Sequence, residues 1–439
     1  MDITNLINNS NIKQLNEMQQ EAVEAILHTK KDVVILSPTG SGKTLAYLLP
    51  LSNLLNKDID KVQAIVVVPG RELALQSAQV MDSLHSGLRS MSLYGGRPTM
   101  DEHRKMNGIM PQIVFGTPGR LNDHIDKNNF DISEIKWIVL DEFDKCLEMG
   151  FHNEMLELFN KLPQTCRKIL LSATDSGSIP AFVYINEAKK LDFIKNNVQI
   201  PTRIKVFEVH SPEKDKLNTL SLLLRGFQQQ SSIVFLNYRE SVNRVNEFLL
   251  SQGFTTTSFH GGMEQKQRED ALYKFTNGSA NIMVSTDLSS RGLDIPHIDN
   301  IIHYQLPNSK EEYIHRVGRT ARWKEKGKTF FILGPEEEIP NFVEAEVSQY
   351  SIPQNPPEPS APVMATIYIG KGKKDKLSKT DIVGFLCKLG GLKGNEIGRI
   401  DVKERYSYVA IKREKANEVL SNCKGQKIKG IKTILEPVK

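Results

Sequence analysis

The chain has 439 residues, 39% of them hydrophobic and 25% charged, the proportions of an ordinary globular protein with roughly two to four domains. No apolar run approaches the roughly 20 residues needed to span a bilayer, and the opening MDITNLINNSNIKQ lacks a basic segment followed by an apolar core, so neither a membrane span nor a secretory signal is expected. The net charge of +5 is unevenly spread: residues 361–439 carry 18 Lys and Arg against 8 Asp and Glu, whereas the preceding 360 residues carry 39 against 44. A basic module on a mildly acidic body fits a polyanion partner or a merely solvated basic surface. The four cysteines, Cys146, Cys166, Cys387 and Cys423, are scattered without a CxxC pair, which argues against a zinc site or disulfide framework and suits the reducing cytosol.

In chain order, short β-branched runs alternate with longer amphipathic segments. DVVIL (32–36), AIVVVP (64–69), QIVFG (112–116), WIVL (137–140) and KILLSAT (168–174) predict parallel strands of an α/β sheet. The pattern restarts with SSIVFL (231–236), TTTSFHG (255–261), ANIMVST (280–286), NIIHYQ (300–305) and KTFFIL (328–333), and KNNVQIPTRIK (195–205) between the two sets reads as a hinge. Two α/β lobes in tandem are expected over 1–196 and 203–346. Five prolines between 353 and 362 mark a stiff linker, placed at 347–362. The last block, 363–439, has the order βαββαβ, a small α+β domain of the ferredoxin-like kind.

After the first strand comes Ser37-Pro38-Thr39-Gly40-Ser41-Gly42-Lys43-Thr44 and then a helical run. This is the phosphate-binding loop pattern with Ser37 in place of its first Gly. The glycines let backbone N–H groups face phosphates, Lys43 reaches the outer phosphates and the Thr44 hydroxyl binds Mg²⁺. The strand WIVL runs into Asp141, Glu142, Phe143 and Asp144. Clustered carboxylates are costly unless a cation is near. In nucleotide enzymes of this kind such a strand end supplies the second metal contact: Asp141 would hold Mg²⁺ through its waters, and Glu142 would orient and deprotonate the attacking water. Asp144 also suits the N-terminus of the helix that follows. In the second lobe, Arg316, Arg319 and Arg322 recur every third residue in YIHRVGRTAR; Arg319 and Arg322 are candidate arginine fingers, the alternative being a solvated basic helix.

Taken together, the motifs resemble those of the DEAD-box ATP-dependent RNA helicases. They are LNEMQ ending at Gln19, SPTGSGKT, PGRELALQ (69–76), GG (95–96), TPGR (117–120), DEFD, SAT (172–174), IVFLN (233–237), HGG with QKQR (260–268), STDLSSRGLDIP (285–296) and HRVGRTAR (315–322), in order across nearly the whole chain. The resemblance implies two RecA-like lobes that bind ATP and Mg²⁺ and close on single-stranded RNA, unwinding short duplexes locally. It implies that Gln19 reads adenine, that Ser172 and Thr174 bond Asp144, that Gly292 and Asp294 meet the γ-phosphate and ribose, and that His315 bridges to the acidic motif. On the RNA side it implies backbone contacts from Pro69, Gly70, Arg71, Gly95, Gly96, Thr117, Pro118 and Arg120 in the first lobe, and from Gly261, Gln265, Arg268 and Thr286 in the second.

The sequence departs from the family at Phe143, where Ala is usual, at Gly70 for Thr, at Ala321 for Gly, and around the adenine motif at Ile12, Leu15 and Asn16; no aromatic precedes Tyr47 to stack on adenine. Phe143 is expected to point into lobe packing, away from nucleotide.

The last block resembles the RNA-binding domain of the DbpA-type subgroup, an RRM-like fold, through ATIYIGKGKKDKLSKTDIVGFL, GLKGNEIGRIDV and YSYVAI. That resemblance implies a hairpin of 23S-type large-subunit ribosomal RNA and pre-ribosomal particles as partners, in a cytoplasmic, monomeric protein of ribosome assembly. An RRM sheet presents aromatics to bases, so Tyr368 and Tyr406 (or Tyr408) are candidates for stacking, and Lys371, Lys373 and Lys374 for phosphates. A folding or dimerisation module is the alternative for this block; a general RNA chaperone or a non-catalytic ATP-gated RNA clamp is the alternative for the whole chain.

Overall fold

The computed structural model describes residues 6–7, 12, 14–38, 40–95, 99–175, 179–185, 187–194, 204–286, 298–318 and 327–438. They form two compact units: the first runs to residue 194 and takes in 311–318, and the second holds 204–286, 298–310 and 327–438. Among the described residues no helix is long and apolar enough to cross a membrane.

In the first unit, helix α1 (Glu17–His28) leads into strand β1 (Asp32–Leu36), α2 (Lys43–Leu54), β2 (Ala64–Val67), α3 (Arg71–Ser83), β3 (Ser90–Leu93), α4 (Thr99–Ile109), β4 (Ile113–Gly116), α5 (Pro118–Asp126), β5 (Trp137–Leu140), α6 (Phe143–Glu148), α7 (His152–Lys161), β6 (Arg167–Ser172) and β7 (Ala188–Asp192). The strands pair in parallel in the order β3-β4-β2-β5-β6-β1-β7. Successive strand residues feed opposite layers: Val33, Ile35, Val66 and Val139 pack with α1, α2 and α3, while Val34, Leu36, Val67 and Leu140 pack with α5, α6 and α7. Burial on both faces explains why the central strands read as continuous apolar runs. Strands β1 and β5 lie at the expected positions, and β2, β4 and β6 begin or end within two residues of them. Edge strands β3 (SMSL) and β7 (AKKLD) were not expected; each meets a neighbour on one side only, and β7 exposes its first three residues, so neither needs an apolar run.

The second unit repeats the plan with β8 (Ile204–His210), α8 (Leu217–Phe227), β9 (Ser232–Leu236), α9 (Arg239–Ser251), β10 (Thr256–Phe259), α10 (Gln265–Thr276), β11 (Ile282–Thr286), β12 (Asn300–His303), β13 (Gly327–Leu333) and β14 (Val347–Gln349). These strands also pair in parallel, in the order β10-β11-β9-β12-β13-β8-β14. Helix α11 (Lys310–Val317) precedes β13 in the chain, and its residues from 311 belong to the first unit. The expected hinge at 195–205 needs correction at its end: Ile204 and Lys205 open β8 and pair with Gly327 and Lys328. Residues 195–203 lie outside the described set.

The C-terminal block is an antiparallel sheet ordered β16-β17-β15-β20, built from β15 (Met364–Ile369), α12 (Lys379–Lys388), β16 (Ile397–Val402), β17 (Ser407–Lys412), α13 (Ala416–Asn422) and β20 (Leu435–Pro437). Its core joins Ile367, Ile369, Val409 and Ile411 of the sheet to Ile382, Phe385, Leu386 and Val419 of the two helices. The βαββαβ expectation holds, except that the final predicted strand is divided: Ile431–Lys432 (β19) pairs with Lys427–Ile428 (β18) as a separate hairpin before β20.

Candidate active site

Strand β1 ends in the loop Ser37–Gly42, which turns into α2. Gly40 and Gly42 hold φ of 82° and 85°, the left-handed region that favours glycine. At Gly42 a Cβ would stand 2.4 Å from Gln19 Nε2, so a side chain there would displace the glutamine. Lys43 is buried, and its Nζ donates to the carbonyls of Ser37 (2.7 Å) and Pro38 (3.1 Å). The ammonium is thus held inside the curve of the loop. Thr44 follows on the first turn of α2. Thr39 lies outside the described residues.

Gln19 and Asn16 lie against this loop. Asn16 caps α1: its side chain accepts from the Gln19 N–H (2.8 Å), and the Gln19 side chain accepts from the Asn16 N–H (3.1 Å). This is a capping box. Asn16 Nδ2 also donates to the Ser41 carbonyl (2.9 Å) and Gln19 Nε2 to the Gly42 carbonyl (3.2 Å). The departure at Asn16 therefore has a structural role, and its i, i+3 spacing from Gln19 was the available signal.

The carboxylates stand at the end of β5. The Asp141 N–H donates to the Val67 carbonyl (3.0 Å), continuing the sheet, and Asp141 is only 2% exposed. Tyr47, fully buried on α2, donates its hydroxyl to Asp141 Oδ2 at 3.2 Å. Burial first, and then the Glu142 charge, pushes the Asp141 carboxyl up to about 7. Glu142 is buried with φ 51° and ψ 50°, a left-handed conformation that costs a non-glycine residue about 1–2 kcal/mol. Its Oε2 is buried without a hydrogen-bond partner among the described residues. A carboxyl raised by burial and then by its neighbour's charge, and an orphaned carboxylate oxygen beside a phosphate-binding loop, fit a divalent cation with its nucleotide. Among the described residues no three His, Cys, Asp or Glu side chains form a metal cage, so such an ion would be held largely by water and phosphate, as Mg²⁺ prefers.

Phe143 turns the other way. It is 2% exposed and packs with Leu140, Cys146 and Leu170 under the sheet. Asp144 accepts from Thr174 Oγ1 at 2.9 Å, and His315 Nε2 stands 3.7 Å from its Oδ2, within ion-pair range but beyond a hydrogen bond. Burial alone would raise the Asp144 pKa; His315, Lys145 and Thr174 outweigh it and hold the group well below the usual carboxylate range. The Ser172 expectation needs correction. Its hydroxyl donates to the Thr174 carbonyl (2.6 Å) and accepts from the Thr174 N–H (3.1 Å). Both bonds are spent on the turn that aims Thr174, so Ser172 acts on Asp144 only through Thr174.

The expected RNA residues of the first unit are distributed around the ends of β2, β3 and β4. Pro69 is buried, Gly70 precedes α3, Arg71 starts it, and an added Gly95 Cβ would lie 3.7 Å from Arg71 Nη2. Thr117 and Pro118 open α5. Arg120 donates to Glu102 (2.8 Å) and Asp123 (3.1 Å), and the same Glu102 oxygen lies 2.9 Å from His124 Nε2. Glu102 was not singled out by the sequence, because nothing local to it signals its partner.

In the second unit, Gly261 is exposed, Gln265 Nε2 donates to Glu269 (3.1 Å), the Arg268 guanidinium stands 5.1 Å over the Phe259 ring, and Thr286 ends β11. In the C-terminal block Lys371 pairs with Asp375 (3.0 Å), and Lys373 and Lys374 are exposed on the following turn. Tyr368 and Tyr406 are half-buried neighbours, with ring centroids 5.6 Å apart. Gly96, Gly292, Asp294, Arg319 and Arg322 lie outside the described residues.

Comparison with known proteins follows the same division. The DEAD/DEAH box helicase family matches residues 16–180, the helicase conserved C-terminal domain 215–324, and the DbpA RNA binding domain 366–437. The chain is 33% identical to the ATP-dependent RNA helicase DbpA of Escherichia coli (strain K12), over 98% of this chain and 95% of that protein. It is 30% identical to the protein of the same name from Bacillus subtilis (strain 168), over 98% and 96%. Among solved structures, Mss116p bound to single-stranded RNA and AMP-PNP superposes with a TM-score of 0.71 at 27% identity, covering 80% of this chain and 78% of that one.

Proposed function

The chain belongs to the DEAD-box family of ATP-dependent RNA helicases, in the group that carries a DbpA RNA binding domain, and on that premise we propose that it hydrolyses ATP with Mg²⁺ to close its two RecA-like folds on single-stranded RNA and part short duplexes. The observation that carries the proposal is the joint placement of Lys43, Asp141, Glu142 and the Asp144–Thr174 hydrogen bond in the first fold.

In this reading Lys43 leaves the loop carbonyls for the outer phosphates. Thr44 and Asp141 would hold the metal, Asp141 partly through water. Mg²⁺, when bound, offsets charge on the β- and γ-phosphates. Glu142 turns its unpartnered Oε2 to the attacking water and takes its proton there. Thr174 and His315 hold Asp144, linking the nucleotide site to the RNA contacts. Gly292, Asp294, Arg319 and Arg322 complete the site from the second fold, as the family pattern has them. The domains are taken as 1–196, 203–346 and 363–439, but the expected 347–362 linker is shortened at its start, because Val347–Gln349 form β14 and pair with Val206–Glu208 in the second sheet.

We further propose that the C-terminal domain directs the monomeric, cytoplasmic protein to 23S-type large-subunit ribosomal RNA in pre-ribosomal particles. The domain's net charge of +10 supports a polyanion partner, and the two relatives named DbpA share its arrangement over nearly their whole length. ATP turnover by the full chain tests both levels. Turnover is expected to rise with RNA and to rise most with total ribosomal RNA. Equal stimulation by random RNA removes the ribosomal target, and equal stimulation by DNA removes the RNA assignment.

A further inference from the structure

The parallel strands of the second sheet end on one rim, the end at which open α/β sheets take their ligands. Strands β10, β11 and β9 are neighbours there, with Phe259 level with Ser285 and Thr286 level with Leu236. Gly261 and Gln265 follow β10, and Thr286 closes β11; all three are RNA-facing candidates. The next position along the rim is the turn after β9, Asn237-Tyr238-Arg239. That turn is anchored on both sides. The Asn237 N–H donates to Gln305 Oε1 (2.7 Å) and its Nδ2 to the Leu306 carbonyl (3.1 Å), both beyond β12. On the other side the Gly262 N–H donates to His260 Nδ1 (3.2 Å), and His260 Nε2 pairs with Asn243 Oδ1 of α9 (2.9 Å). A Cβ on Gly262 would stand 3.4 Å from Arg239 Cδ, so the glycine lets the turn after β10 close on the start of α9.

Tyr238 stands at the N-cap of α9, extended at φ −124° and ψ 140°, and its carbonyl accepts from the Val242 N–H (3.1 Å). Ser, Thr, Asp or Asn in this position would accept an N–H of the first turn through its side chain. Tyr238 makes no such cap bond. Its ring does not pack either: Tyr238 is 64% exposed, more than any other large hydrophobic side chain among the described residues. A lone exposed side chain is ordinary on a protein surface. This one takes the place of a helix cap, on a rigid turn, at the rim that carries the RNA candidates. It serves neither the helix nor the core, so its use lies outside the fold. Arg239 beside it is exposed as well. An open ring next to a cation is how proteins hold single strands: the cation meets phosphate and the ring meets a base.

We propose that Tyr238 is a base-stacking residue of the second fold, holding one nucleobase of the single strand without reading its identity. The proposal rests on the reading above that the chain binds RNA. Backbone contacts fix the path of the strand; the ring adds affinity that does not depend on phosphate charge, because every base has a face to stack. The helix gives up its cap for this contact, so stability and RNA affinity pull in opposite directions at this one position.

The test measures binding of a fluorescein-labelled single-stranded oligoadenylate by the full chain with Mg²⁺ and AMP-PNP. Tyr238→Phe is expected to bind as the wild type does, and Tyr238→Ala about tenfold more weakly, within the range for one stacked base. The slope of log affinity against log salt should be the same for the alanine variant and the wild type, since a stacked ring neutralises no phosphate. Tyr238→Thr supplies the missing cap: its urea midpoint should rise above that of the wild type while its RNA affinity falls as in Tyr238→Ala. Undiminished binding by Tyr238→Ala overturns the proposal. So does a flatter salt slope, which would make the residue a phosphate contact, and so does a lowered midpoint in Tyr238→Thr, which would make the ring part of the fold. A wild-type chain that does not bind the strand removes the helicase reading and the stacking residue together; equal binding by wild type and Tyr238→Ala removes the stacking residue alone.

Discussion

The phenol of Tyr47 donates a 3.2 Å hydrogen bond to Asp141 Oδ2, joining the helix that follows the phosphate loop to the acidic strand end. The two residues are 94 positions apart in the chain, and both are buried. One carboxylate oxygen is thereby given a fixed direction before any nucleotide arrives. Tyr47→Phe keeps the ring and removes the donor. The variant is expected to lose about 1–2 kcal/mol of stability and to need more Mg²⁺ for half-maximal turnover; urea unfolding and a Mg²⁺ titration of ATPase rate measure the two effects.

Stability should depend on pH through Asp141 in a direction opposite to that of a salt-bridged acid. Its carboxyl is near 7 in the folded protein and about 3.9 in an unfolded chain. Between these values the native state binds the extra proton, so stability falls as pH rises through the window. Asp144, held low, behaves conversely and costs stability only as pH drops below about 4. Urea midpoints of the nucleotide-free protein and of Asp141→Asn, compared from pH 4 to 7, should converge at the acid end and separate at the neutral end. Parallel curves would remove the raised carboxyl.

Lys43→Ala and Glu142→Gln should each lower RNA-stimulated ATP turnover on the order of 100-fold or more, the scale of losing a phosphate clamp or a general base. Glu142→Gln should retain ATP affinity, because it changes the proton acceptor and not the loop. Normal turnover by this variant would show that another group takes the proton.

Phe143 belongs to packing. Phe143→Ala should cost about 3–5 kcal/mol, seen in thermal or urea unfolding, whereas Phe143→Leu should turn over ATP at close to the wild-type rate. A large catalytic defect in a well-folded Phe143→Leu would place the ring in the nucleotide site.

Glu102 holds Arg120 and His124 through one oxygen, and it is only 3% exposed. Glu102→Ala leaves a largely buried guanidinium with one carboxylate fewer and should destabilise by about 3 kcal/mol. RNA affinity is expected to fall while ATP affinity measured without RNA stays unchanged; Glu102→Asp, which keeps the charge, should recover part of the RNA affinity.

The phosphate loop was legible because its chemistry is local: eight consecutive residues after an apolar strand specify the turn, the lysine and the threonine. The acidic strand end was legible for the same reason, and so was the inward turn of Phe143. Relations across the chain were not. Nothing near Ser172 shows that its hydroxyl is consumed by Thr174, and nothing near Tyr47 or Glu102 announces Asp141 or Arg120. The edge strands β3 and β7 hid behind polar residues that a half-paired strand tolerates. Nothing near Tyr406 and Tyr408 in the sequence announces Glu269 and Asp270, which accept their hydroxyls.

Gln19 is wired to the loop it serves. Its amide donates to the Gly42 carbonyl, it shares a cap with Asn16, and Asn16 grips Ser41. Any rearrangement of Ser41 and Gly42 around a triphosphate must alter the glutamine that would select the base, and a base that engages Gln19 must alter the loop. With Gln19 at the base, the two ends of a nucleotide would be sensed by one mechanical linkage. Discrimination between ATP and other triphosphates should accordingly appear in the strength of phosphate binding itself, so that a poorly matched base loosens the hold on phosphates several ångströms away.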